Sequence, residues 1–222
     1  MELASKRPIN SDDALQRLVI GNQQFSSGSL KHPRQTAQTR MEVASGQRPF
    51  AAILGCSDAR IPPEIIFDQG LGDLYVIRVA GNVVDALVLG GLEYAVEDLG
   101  VPLIVVLGHD RCGAIATAVQ MMGFSPRASA PGAWTWQHGW QPVRTLPVGH
   151  LSNLAISIKP AVDRAYQKEG NLVDNAINAN ISYVVDELKA SQPILMRYVK
   201  ERGLRIVGAR YNLTSGVVNF VG

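Results

Sequence analysis

The sequence predicts an α/β fold: a mainly parallel central sheet flanked by helices, with an N-terminal helical arm. Three observations carry that expectation. From Phe50 onward, short β-branched apolar runs alternate with helical segments, which is the pattern of βαβ units. Each of the first three runs ends at a glycine, as strands entering tight turns do. A chain of 222 residues, 46% of them hydrophobic, can bury a sizeable core, and it reads as a single domain over 1–222.

Taken in order, residues 1–49 form a polar arm with one amphipathic segment, SDDALQRLVIGNQQF. There Ser11 is the expected cap, and Leu15, Leu18, Val19 and Phe25 recur at roughly helical spacing. The arm has too little apolar surface for a core of its own, so it is expected to pack on the main body or on a partner subunit. The α/β core spans 50–222. Its first strands are FAAIL before Gly55, LYVIRVA before Gly81 and PLIVVLG through Gly108. A helix, ALVLGGLEYAVEDLG, follows Asp85 as N-cap, and RCGAIATAVQMM reads as a helix beginning directly after the third strand. Residues 123–149 gather all three tryptophans among prolines and glycines without periodicity, and read as an ordered loop, either a surface excursion or a functional lid. Helices follow in SNLAISIKPAVDRAYQKEG, NLVDNAINANISYVVDELKAS and around PILMRYVKERG, and LRIVGARY and VVNFV close the chain as strands.

Composition removes several function classes. With 21 basic and 19 acidic side chains the net charge is only +2, which gives no general reason to bind nucleic acid or an anionic membrane. No apolar stretch reaches the ~18 residues of a membrane span. The start, MELASKRPINSDD, lacks the apolar centre of a secretory signal, so a cytoplasmic setting is expected, with export after removal of a leader as the other option. The 2 cysteines, Cys56 and Cys112, are too few for a disulfide scaffold. They are left as buried thiols, one disulfide, or metal ligands.

Their positions favour the last reading. Cys56, Ser57, Asp58 and Arg60 follow the first strand, and His109 and Cys112 follow the third. In an open α/β sheet the carboxyl edge is the ligand crevice, so residues more than 50 positions apart converge there. Two thiolates and an imidazole suit zinc, and three protein ligands leave the open position that catalysis needs. Two thiolates also neutralise the ion's formal charge, so a nearby acceptor is useful. Asp58 is placed to be that acceptor, and Arg60 to hold it oriented and ionised. A local ion pair or turn cap is the plainer account of the same two residues.

At these residues the chain resembles the β-class carbonic anhydrases, bacterial type. The matching stretches are CSDAR at 56–60, RVAGN at 78–82, LEYAV at 92–96 and GHDRCG at 108–113, and the likeness runs from about Asp12 to near the C-terminus. The resemblance implies reversible hydration of CO2 to bicarbonate and a proton through a zinc-bound hydroxide. It assigns one Zn2+ per subunit to Cys56, His109 and Cys112, the catalytic pair to Asp58 and Arg60, and product binding to the backbone N–H of Gly113. It also implies a homodimer or higher even oligomer with swapped N-terminal helices. In some family members the aspartate matching Asp58 becomes the fourth zinc ligand in a closed resting form. Some also carry an inhibitory bicarbonate site. Arg78 and Tyr211 match two of its residues, but Ile53 stands where the third, a tryptophan, is expected. Arg111 is a cation beside the ligands, and His32, His138 and His150 are surface histidines or proton carriers. Two other functions share this scaffold: hydrolysis of a CO2-like substrate such as CS2 or COS, and non-catalytic zinc or bicarbonate binding.

Overall fold

A computed structural model describes residues 10–124 and 149–221. The three tryptophans, His138 and most of the 123–149 segment lie outside the described residues. Strands β1 (Ala51–Gly55), β2 (Leu74–Arg78), β3 (Leu103–His109), β4 (Arg205–Tyr211) and β5 (Val218–Val221) form one sheet in the order β2-β1-β3-β4-β5. The first four strands are parallel and β5 runs antiparallel to β4. β1 and β3 are buried along their whole length, which explains why both read as unbroken apolar runs instead of alternating ones. β2, at the edge, is only partly buried.

Alternate side chains of the central strands feed opposite cores. Ile53, Leu103, Val105 and Leu107 face one layer, built from α1 (Ser11–Ser26) and α3 (Pro63–Ile66). Ala52, Leu54, Ile104 and Val106 face the other, where α4 (Ala86–Glu97), α7 (Leu172–Ala190) and α8 (Ile194–Glu201) pack. A third cluster joins α5 (Gly113–Met121), α6 (Leu151–Tyr166) and α7, and it includes Cys56 and Cys112.

The expected arm helix is present, with one correction: its cap is Asn10, not Ser11. Asn10 is extended, and its side-chain oxygen accepts from the N–H groups of Asp12 and Asp13, which leaves Ser11 as the first helical residue. α1 lies on the chain's own sheet, with Ala14 and Leu18 fully buried. Asn22 ties it down, donating to the carbonyls of Ile66 and Gly216 and accepting from Val218 N–H. Gly21 makes this approach feasible, because a Cβ there would stand 1.8 Å from the carbonyl oxygen of Phe67. Two short helices escape the periodicity of the sequence. α2 (Ala37–Glu42) is capped by Thr36, and α3 begins at Pro63 with proline in the first turn. The helix after β3 begins at Gly113, two residues later than expected, because Arg111 sits at φ +54 and Cys112 is still extended.

Candidate metal centre

Parallel pairing carries Cys56 and His109 to one edge of the sheet. Cys56 is the first residue past β1, and His109 ends β3, which runs beside it. The left-handed turn at Arg111 then brings Cys112 back toward His109. Among the described residues, the donor atoms of Cys56, His109 and Cys112 lie within 4.8 Å of one another, and all three residues are buried.

The donor set fits zinc. The two sulfurs are 3.9 Å apart, and both thiols are free. A disulfide needs about 2.05 Å, whereas tetrahedral zinc with bonds of about 2.3 Å separates two sulfurs by roughly 3.8 Å. His109 Nδ1 is 2.8 Å from the carbonyl oxygen of Asp110, which can only accept, so Nδ1 carries the proton and Nε2 keeps a free lone pair. That Nε2 is buried without a hydrogen-bond partner among the described residues, which is costly unless a cation takes the lone pair.

The two thiols push each other in opposite directions. The hydrogen bond from Cys112 holds the Cys56 thiol well below its ordinary range against the opposing effect of burial, and the Gly81 N–H adds to it. That N–H lies 3.3 Å from Cys56 Sγ. Cys112 is pushed in the opposite direction by the same sulfur–sulfur hydrogen bond and by burial. Gly81 can aim its N–H this way because it sits at φ +69, and Asn180 of α7 holds its carbonyl at 2.8 Å.

Beside this cluster, Asp58 and Arg60 form a two-pronged pair. Asp58 Oδ1 accepts from Arg60 Nε at 2.9 Å and from its backbone N–H at 3.0 Å, and Oδ2 accepts from the terminal guanidinium nitrogen at 2.7 Å. The arginine holds the carboxyl down to about 2. Arg78 donates to the carbonyls of Cys56 and Asp58 and so braces the loop that carries both. Tyr211 ends β4 next to His109, its ring packed near Phe25 and its phenol pushed up by burial. Arg78 and Tyr211 thus stand on strands separated by β1 and β3. Ile53 is fully buried in β1, and Arg111 is exposed. Gly113 is the first residue of α5. His32 lies in the loop before α2 with its N–H on Asp68, and His150 precedes α6, so neither belongs to the donor cluster.

The sequence reading missed four residues around this cluster: Gly81 and Asn180 behind Cys56, and Asp110 and Arg210 behind His109. Arg210 carried a usable signal, being a charged residue at the carboxyl end of a predicted strand. Asn180 carried none, since a polar residue within a helix most often faces solvent.

Comparison with known proteins agrees with this geometry. A family described as "Carbonic anhydrase" matches residues 51–218. "Carbonic anhydrase 2" of Mycobacterium tuberculosis is 37% identical over 203 residues, covering 91% of this chain and 89% of the relative. The carbonic anhydrase of Mycolicibacterium smegmatis is 33% identical over 205 residues, covering 92% and 90%. Among solved structures, a tetrameric β-carbonic anhydrase from Sordaria macrospora superposes with a TM-score of 0.64 at 26% identity, covering 82% of this chain and 85% of that one. With the family match spanning most of the chain and the ligand geometry suited to zinc, the chain belongs to the β-carbonic anhydrases, in their bacterial form.

Proposed function

We propose that in this zinc-dependent enzyme, which interconverts CO2 and bicarbonate, Asp58 and Arg60 are the catalytic pair beside a zinc ion held by Cys56, His109 and Cys112. Bound there, zinc supplies the Lewis acidity that makes water a nucleophile near neutral pH. The observation that carries the assignment is the two-pronged contact between Arg60 and Asp58, two residues from a ligand. It keeps the carboxylate ionised and fixed in direction. Asp58 Oδ1 already accepts two hydrogen bonds from Arg60, while Oδ2 accepts one. Oδ2 therefore keeps a lone pair for the attacking water, which it orients toward CO2. The product anion is received by the N–H of Gly113 at the start of α5. Arg78 serves as a positioning residue through the carbonyls of Cys56 and Asp58.

Released from Arg60, the same carboxylate would be the fourth ligand of a closed resting form, with water completing the shell in the open one; here Asp58 is paired with Arg60. The reading extends to a single domain over 1–222 that assembles as a homodimer or larger even oligomer. Exposed Leu87 and Tyr94 on α4 and the half-buried edge strand β2 support that assembly. So does the tetrameric state of the Sordaria macrospora relatives.

The test is Asp58→Ala. It should retain one zinc per subunit and lose CO2 hydration by about a hundredfold or more. Full activity in the variant would remove Asp58 from the mechanism.

A further inference from the structure

We infer that Arg210 and Asp110 form a clamp that positions His109 as a ligand, so that a side chain on β4 sets how tightly the protein holds zinc. The inference rests on the assignment of His109 to the metal.

Asp110 is the residue on which the imidazole's orientation depends. Its carbonyl oxygen takes the Nδ1 proton of His109 at 2.8 Å, which points Nε2 toward the two sulfurs. A peptide carbonyl directs a ring in this way only if its plane cannot rotate, and Asp110 is held from two sides. Its N–H donates to the Tyr211 carbonyl at 3.0 Å, and its carboxylate accepts from Arg210 Nε at 2.6 Å. The next residue, Arg111, is held at φ +54. A non-glycine residue keeps that conformation only where its surroundings impose it. The turn is required, because it brings Cys112 back to the same ion as His109.

The clamp has a rigid base. Arg210 sits in register with Gly108, immediately before the His109–Tyr211 pair. Its other guanidinium nitrogens donate to Asn178 and Asp174 of α7, each at 3.0 Å, so the group is anchored at three points and reaches Asp110 in one orientation. Arg210 and Asp110 are largely covered, with side-chain exposures of 24% and 20%, so water competes little for the bond. Arg210 touches none of the three donor atoms. It acts through Asp110, as outer partners of metal-bound histidines do when they fix the ring's tautomer and direction.

Zinc affinity by chelator competition, together with the visible absorption of the cobalt-substituted protein, tests this. Arg210→Met should weaken zinc about 10- to 100-fold and shift the cobalt bands, while far-UV circular dichroism stays that of the parent. Asp110→Asn, which keeps an oxygen acceptor for Arg210, should lose less affinity than Asp110→Ala. Asp174→Asn removes a charge at the α7 end of the same guanidinium but keeps an oxygen acceptor, so the anchor and the contact with Asp110 persist, and it should stay within about twofold of the parent. Should the methionine variant not fold, Arg210→Lys, which keeps the charge but not the fork, should show an intermediate loss. Parent-like affinity and cobalt spectra in the folded Arg210 variant would overturn the clamp. Equal losses in the Arg210 and Asp174 variants would do the same, since they would mark a purely structural ion pair. His109→Ala separates the two levels: undiminished zinc binding there would refute the ligand assignment itself.

Discussion

The Asp58–Arg60 pair has a pH signature whose sign follows from its geometry. Arg60 lowers the carboxyl from its ordinary 3.8 to about 2, so the pair contributes stability above the ordinary value and loses it as pH falls toward 2. Because Arg60 is 45% exposed, that contribution is about 1 kcal/mol or less. In urea unfolding, Arg60→Ala should therefore be slightly less stable than the parent at pH 7, and the gap should narrow below pH 4. Cys112 couples zinc binding to pH in a related sense. The hydrogen bond with Cys56, and then burial, raise the pKa of Cys112, and zinc must displace its proton, so zinc affinity should fall as pH is lowered. Cys56→Ser and Cys112→Ser should each lose stoichiometric zinc, measurable by metal analysis after dialysis. At this scale Cys56, Asp58, His109 and Cys112 were legible because strand ends in a parallel sheet share one edge, and because few residue types bind zinc. Asp110, Arg210 and Asn180 were not legible, since their roles depend on partners up to 100 positions away.

Among the elements, α1 makes the most specific commitment. Leu18 is fully buried, so Leu18→Ala should cost about 2–5 kcal/mol. Asn22 satisfies two carbonyls and one N–H, and Asn22→Ala would strand them, at about 1–3 kcal/mol. Gly21→Ala places a methyl group against the Phe67 backbone, which cannot yield as a flexible side chain would, and should also lower the melting temperature. Thermal unfolding checks all three. α1, α4 and α7 were readable because each is long enough to repeat an apolar face. α2 and α3, of 6 and 4 residues, are too short to show a period. The arm's cap was displaced by one residue because Asn10 and Ser11 are both good caps, and backbone conformation chose between them.

For the whole molecule, the edge strand β2 and the exposed Leu87, at 86%, mark a side suited to burial against a second copy. Light scattering should give an even multiple of the chain mass, and Leu87→Glu should shift it toward smaller species. No helix among the described residues is long and apolar enough to cross a membrane. The sheet's parallel character was legible from short apolar runs alternating with helical segments. Its strand order was not, because pairing is decided by how the helices pack on either face. That order is what unites the three ligands with Asp58 and Arg60, and the claim that this union hydrates CO2 is open to direct measurement. Stopped-flow hydration by the zinc-loaded oligomer, beside Asp58→Ala with its zinc counted, should show turnover in the parent and a loss of about a hundredfold or more in a variant that still holds one zinc per subunit. A zinc-replete parent without activity, or a variant as fast as the parent, would contradict it.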